Sequence, residues 1–127
     1  MNNPSSILVA DDYAPVRRLI KQTLNRGGYQ HLSFADNGRR TVDMALAAPP
    51  DLIVLDFDMP KLDGIAALDE LREHPTTRNI PVIMISGMEE FHICFDAVGR
   101  GATHVLEKPF APTNLVRVVT AALGTTK

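Results

Sequence analysis

The sequence predicts an α/β fold in which helices cover both faces of a five-stranded parallel sheet. The main observation is a strict alternation along 127 residues: apolar runs of strand length alternate with segments in which apolar residues recur at helical spacing. In addition, the runs 52–56 and 81–86 are apolar almost throughout, as expected of central parallel strands buried on both faces. The chain length fits one domain with a substantial core.

The predicted elements follow one another with clear boundaries. The predicted strands are 6–10, 30–35, 52–56, 81–86 and 104–107. The predicted helices are 14–26, 38–47, 64–73, 89–99 and 112–123. Two glycines end the first helix and two prolines end the second, because these residues interrupt helical structure. Polar and apolar residues alternate in the second strand, a pattern typical of a half-exposed edge strand, and two acids open the fourth helix.

Composition argues against several classes of protein. The net charge is −2 and the chain has no basic patch or helix-turn-helix pattern, so we expect no direct binding of nucleic acid. No run approaches the roughly 20 apolar residues of a membrane helix, and the first residues lack the basic region of a secretory signal. With the single Cys94, this predicts a cytoplasmic protein without membrane contact. We expect residues 1–127 to be a single domain, with a core of about 6–123 and no output domain.

Residues with reactive side chains stand at the ends of four predicted strands. Asp11 and Asp12 follow the first strand, and Asp56 ends the third. Ser86 ends the fourth strand, and Lys108 follows the fifth. Because ligands of open parallel sheets bind beyond the carboxyl ends of the strands, we expect these side chains to converge at one edge.

Several carboxylates in one pocket imply a cation among them. At about 4 Å and an effective dielectric constant near 20, two such charges repel by about 4 kcal/mol. Hard oxygen ligands without His or Cys favour Mg²⁺, with Mn²⁺ as the alternative, over zinc. A carboxylate, a hydroxyl and an ammonium beside such an ion predict a site that holds a phosphoryl group, with a carboxylate oxygen attacking phosphorus.

Four sequence segments, ILVADD, VLDFDMPKLDG, VIMISG and GATHVLEKPF, resemble the receiver domain of two-component response regulators. The resemblance covers nearly the whole chain and implies the doubly wound, flavodoxin-like strand order 2-1-3-4-5. It also implies a signalling protein rather than an enzyme, one that catalyses only its own phosphorylation and dephosphorylation. The implied phosphodonor is the phosphohistidine of a histidine kinase or histidine phosphotransferase. The implied surface for a downstream partner or a homodimer is the face of helix 4, strand 5 and helix 5.

The resemblance also implies a role for each residue of the site. Asp56 matches the phosphorylated aspartate, Ser86 the switch hydroxyl and Lys108 the lysine that contacts the phosphoryl group, before a commonly cis proline bond. Asp12 matches the acid that binds Mg²⁺ directly together with Asp56. Asp11 matches the acid that acts through water, and the backbone carbonyl of Asp58 matches a further metal ligand.

Two positions depart from the family pattern. Val105 occupies the position of a Tyr or Phe that usually moves inward with the switch hydroxyl, and a stiff β-branched side chain has no ring to do so. We therefore expect the output to be read in another way. Asp58 overlooks the site and Met88 offers no polar group, so we expect the lifetime of the phosphorylated state and the choice of phosphodonor to differ from those of the commonest receivers.

Two other functions compete with this interpretation. The sequence LDFDMP also resembles the nucleophile motif of haloacid-dehalogenase-type phosphatases, with Asp56 as nucleophile and Asp58 as acid and base. Those enzymes place their further acidic pair after the lysine, whereas here it opens the chain. The third interpretation is a pseudo-receiver that binds proteins without being phosphorylated, which Val105 favours and the complete set of acids, hydroxyl and lysine disfavours.

Overall fold

The computed structural model describes residues 3–87 and 96–124. The strands are β1 (Asn3–Ala10), β2 (Tyr29–Ala35), β3 (Leu52–Asp56), β4 (Val82–Ser86) and β5 (His104–Glu107). The helices in these ranges are α1 (Ala14–Arg26), α2 (Gly38–Ala47), α3 (Gly64–Glu73), α4 (Asp96–Gly99) and α5 (Pro112–Leu123). None of these helices is long and apolar enough to cross a membrane.

The five strands form one parallel sheet in the order β2-β1-β3-β4-β5, which confirms the predicted fold. β1 and β3 pair in register from Ile7 opposite Leu52 to Ala10 opposite Leu55. β2 lies at one edge of the sheet, as its alternating sequence predicted, and Gln30 and His31 are exposed. The carboxyl ends of all five strands therefore face the same edge.

Side chains that alternate along the strands build a separate apolar core on each face of the sheet. One core joins the β1 residue Leu8 and the β3 residue Leu55 to Leu68 of α3. The other joins Ile7 and Val9 to residues of α1 and α5, among them Ile20, Leu24, Leu115 and Val119. Every residue of β3 and β4 is buried, as two almost wholly apolar central strands require.

The helices next to the carboxyl edge begin in different ways. Asn37 caps α2 by accepting a hydrogen bond from the Arg40 amide at 2.7 Å, and Asp63 caps α3 by accepting one from the Ala66 amide at 2.8 Å. α1 and α5 instead have proline in their first turn and no side-chain cap. These starts fix where the loops that leave β1, β2, β3 and β5 enter the helical layers.

Three strand starts differ from the sequence-based prediction, and one predicted helix lies mostly outside the described residues. β2 begins at Tyr29 rather than residue 30, and β4 begins at Val82 rather than residue 81. β1 begins at Asn3 rather than residue 6, because its first residues pair with β2 alone and the Asn3 amide donates to Gly28 O at 2.7 Å. The predicted helix 89–99 lies mostly outside the described residues, which include only its last turn as α4. Met88 and Cys94 also lie outside them.

Candidate functional site

The predicted site residues converge at the carboxyl edge of the sheet. Asp11 follows β1, Asp56 is the last residue of β3, and Ser86 is the last residue of β4. The β-ladder places Asp56 beside Ile85, and the Lys108 amide donates to Ser86 O at 2.7 Å. The strand order thus brings together groups that lie 97 positions apart in the chain.

Three carboxylates form the centre of this site. Asp11, Asp12 and Asp56 each contribute an oxygen atom that lies within 4.8 Å of the other two. Asp11 and Asp56 are 1% and 4% exposed, whereas Asp12 is exposed. The cluster is therefore buried on the side of the sheet and open to solvent at Asp12.

Lys108 supplies the positive charge that faces these acids. Its ammonium nitrogen lies 3.0 Å from Asp56 Oδ1 and 3.4 Å from Asp11 Oδ2. Burial disfavours the charged ammonium, but the attraction of Asp56 and Asp11 outweighs it, so the pKa of Lys108 is raised. The Lys108-Pro109 peptide bond is cis, as the family resemblance implied.

The carboxyl group of Asp56 is hard to ionise in this environment. Its burial, and then the charge of Asp11, raise the pKa of Asp56 to about 6, even though Lys108 acts in the opposite direction. Asp12 adds a smaller repulsion. A group placed among the acids with positive charge would remove this penalty, because it would favour the carboxylate form.

Asp11 is held in place by contacts that the sequence pattern did not reveal. Its Oδ1 accepts a hydrogen bond from the Tyr13 amide at 2.9 Å, while Oδ2 faces Lys108. Its backbone carbonyl accepts a hydrogen bond from Arg17 Nη1 at 2.7 Å. In the sequence Arg17 stands near two further basic residues, Arg18 and Lys21, but its contact with Asp11 depends on the first turn of α1 and could not be predicted from their spacing.

The other predicted residues occupy distinct places around the acids. Ser86 is fully buried, and its hydroxyl has no hydrogen-bond partner among the residues that the structure describes. Asp58 is exposed in the loop that follows β3. Val105 is partly buried against the core that contains Leu8, beside Met84 in the ladder. Because it has no hydrogen-bond partner among the described residues, the Ser86 hydroxyl can donate a hydrogen bond to a further oxygen atom.

The residues present fit a hard divalent cation. All three clustered side chains offer carboxylate oxygen, the ligand type that Mg²⁺ prefers, and the exposed side at Asp12 admits the water molecules that Mg²⁺ usually keeps. The raised pKa of Asp56 agrees with this fit, because burial and then repulsion by Asp11 disfavour the carboxylate, and a bound cation would offset both effects. The site can therefore hold a cation and a group with negatively charged oxygens side by side.

Comparison with known sequences identifies relatives that match along most of the chain. The family described as response regulator receiver domain matches residues 7–120. Chemotaxis protein CheY of Bacillus subtilis is 33% identical over 118 residues, which cover 93% of this chain and 97% of that protein. The phosphate regulon transcriptional regulatory protein PhoB of Pseudomonas aeruginosa is 34% identical over 121 residues, which cover 95% of this chain and 52% of that protein.

Solved structures give the same result. A putative response regulator from Chloroflexus aurantiacus has a TM-score of 0.89 and 27% identity, with 96% of this chain and 99% of that chain covered. The receiver domain of NtrX from Brucella abortus has a TM-score of 0.86 and 32% identity, with 95% and 100% covered. With the strand order, the acidic cluster and the lysine already in place, these matches show that the chain belongs to the response regulator receiver domain family of two-component systems.

Proposed function

We propose that Asp56 accepts a phosphoryl group from the phosphohistidine of a histidine kinase or histidine phosphotransferase, and that this changes a partner-binding surface. Membership of the receiver family supports phosphorylation-dependent signalling in general. The observation that carries the specific assignment is the position of Asp56, which ends a central strand between the other acids and the Lys108 ammonium. Asp11 has the same kinds of neighbour, but its Oδ2 lies farther from the ammonium, at 3.4 Å, and its Oδ1 already accepts a hydrogen bond from the Tyr13 amide.

Receiver domains generally bind Mg²⁺ at an acidic cluster, and the cluster described above has the ligands for it. Asp12 and Asp56 would hold the ion with side-chain oxygens and Asp58 with its backbone carbonyl, while Asp11 would act through a bound water. When bound, Mg²⁺, or Mn²⁺ in its place, supplies positive charge that stabilises phosphoryl oxygens.

Three residues of the chain, Asp56, Lys108 and Ser86, would carry out and assist the transfer. A carboxylate oxygen of Asp56 forms a bond to phosphorus while the phosphorus–nitrogen bond of the donor breaks and the imidazole leaves with that electron pair. Lys108, which already lies 3.0 Å from Asp56, neutralises the transferred oxygens. The buried Ser86 hydroxyl donates a hydrogen bond to one of them, which would give that hydroxyl the partner it lacks among the described residues.

The family is a signalling family rather than a class of enzymes that turn over a substrate. We therefore propose that the chain catalyses only its own phosphorylation and dephosphorylation. The proposed output surface is formed by helix 4, β5 and α5, through which a downstream protein or a second copy would bind. His104, Val118 and Ala121 contribute to this face between β5 and α5, whereas most of the predicted helix 4 lies outside the described residues.

Intact mass spectrometry tests the assignment directly. Wild-type protein incubated with Mg²⁺ and acetyl phosphate is expected to gain one phosphate adduct, and Asp56→Asn is expected to gain none. Asp36→Asn is the matched control, because Asp36 is an exposed aspartate that follows β2 at the same edge of the sheet. An adduct on Asp56→Asn, or its absence from wild type, would contradict the proposal. Continuous release of phosphate would instead favour the phosphatase interpretation.

A further inference from the structure

The loop between β3 and α3, residues 57–63, passes extremely close to the start of α2. Gly38, the first residue of α2, is buried beneath this loop. A methyl group on Gly38 would lie 1.8 Å from the carbonyl oxygen of Leu62 and 2.8 Å from its Cβ atom. Only glycine leaves room for this backbone path, because every other side chain would displace the loop.

Further contacts restrain the same loop. The Gly38 amide donates to Pro60 O at 3.4 Å, and the Gly64 amide donates to Phe57 O at 2.7 Å. A methyl group on Gly64 would lie 2.5 Å from the carbonyl oxygen of Asp56. Lys61, between these contacts, has a left-handed backbone with φ of 69°, which only a restrained path imposes on a residue with a side chain. The loop is thus fixed by α2 at its middle and by α3 at its end.

Contacts of the first turn of α2 oppose its movement away from the loop. Asn37 accepts a hydrogen bond from the Arg40 amide at 2.7 Å, which holds the first turn together. Arg39, the next residue after Gly38, joins α2 to α3 through two hydrogen bonds to Glu70 at 2.6 and 3.2 Å. A side chain at position 38 would therefore be accommodated mainly by movement of the loop.

We propose that Gly38 is a positioning residue for the metal site. Because Gly38 has no side chain, the β3–α3 loop can pack directly against the start of α2. This packing determines where the backbone carbonyl of Asp58 lies relative to Asp12 and Asp56. The inference rests on the proposed function, because it concerns the proposed metal ligands. The atoms nearest to a side chain at position 38 all belong to Leu62, so its effect is expected to pass through the loop.

The test is the affinity of Gly38→Ala for Mg²⁺, measured by titration of backbone amide signals in NMR spectra without any phosphodonor. Loss of a group that orients metal ligands typically weakens binding by about 10- to 100-fold, and we expect a loss at the lower end of this range. Gly27→Ala is the matched control: a methyl group there would lie 2.9 Å from Val116 Cγ1, at the end of α1 and far along the chain from the loop. It is expected to lose stability and to bind Mg²⁺ as wild type does.

Leu62→Ala is the second variant, because it keeps the Leu62 atoms nearest to position 38 but removes the side-chain atoms that pack the loop against the core containing Leu8. We expect it to weaken Mg²⁺ binding in the same direction, and its result decides the matter if Gly38→Ala does not fold. Wild-type Mg²⁺ affinity in Gly38→Ala, or in Leu62→Ala where only that variant folds, would overturn the inference. A wild-type chain that gains no phosphate would instead contradict the proposed function, so the two failures are distinguishable.

Discussion

Asp56 combines burial with two nearby acids and one ammonium, and its pKa is raised to about 6 as a result. The folded protein therefore binds a proton at Asp56 more tightly than the unfolded chain does. Folding stability falls as the pH rises from about 4 through 6, and the full cost is present above that range. A shift from 3.8 to about 6 corresponds to about 3 kcal/mol in the absence of a cation.

Asp56→Asn should consequently stabilise the metal-free protein at pH 8, by about 2 to 3 kcal/mol, and should have little effect at pH 4. Urea denaturation in the presence of a chelator measures both values. Asp36→Asn, which alters an exposed acid outside the cluster, should show no such dependence on pH. A gain that is the same at both pH values would contradict the stated cause.

At the scale of single residues, the sequence predicted that the three clustered acids and Lys108 lie together, because each of them stands at the end of a strand. It could not predict that Asp11 is buried while the adjacent Asp12 is exposed, since that depends on how α1 begins. It also gave no sign that Lys108 faces Asp11 as well as Asp56. Nor did the sequence pattern single out Gly38, whose importance lies in a distance to another loop.

At the scale of the elements, the sequence predicted helix ends well where glycine, proline or a capping residue marks them. α1, α2, α3 and α5 have the predicted bounds. The start of β1 was missed because it depends on pairing with β2, a contact between segments distant in sequence. Local patterns therefore suffice for helix ends but not for strand ends that a neighbouring strand extends.

The helix starts also differ in a way that can be measured. Ala111 precedes α5 and provides no side-chain cap, so Ala111→Ser should raise the free energy of unfolding by about 1 kcal/mol. Asn37→Ala should lower it by a similar amount, because it removes the acceptor of the Arg40 amide. Urea denaturation of both variants checks the pair. Equal stability of Ala111→Ser and wild type would show that other groups already satisfy the first amides of α5.

Across the whole molecule, the alternation of strands and helices was sufficient to predict a parallel sheet with a core on each face. The alternation alone did not predict the order of the strands, which was predicted from the family resemblance instead. Because the sheet gathers acids from two strand ends that are separate in the unfolded chain, a cation that binds the cluster binds the folded state alone. Mg²⁺ and folding are thus expected to be linked.

Above its dissociation constant, each tenfold increase in Mg²⁺ concentration should raise the free energy of unfolding by about 1.4 kcal/mol. Thermal unfolding over a series of Mg²⁺ concentrations measures this slope at matched ionic strength. Asp56→Asn should respond much less, since it lacks one of the clustered carboxylates. If sodium chloride raised the melting temperature as much as Mg²⁺ does, the linkage to a specific Mg²⁺ site would be refuted.

The Ser86 hydroxyl, fully buried and without a partner among the described residues, has a thermodynamic consequence. A buried donor without a hydrogen-bond partner costs about 1 to 3 kcal/mol, so this hydroxyl is expected to lower the free energy of unfolding of the unphosphorylated protein. Ser86→Ala should make unphosphorylated protein as stable as wild type or more so, by chemical denaturation. Donation from this hydroxyl to a transferred oxygen atom, as proposed above, would recover that free energy and so favour the phosphorylated form.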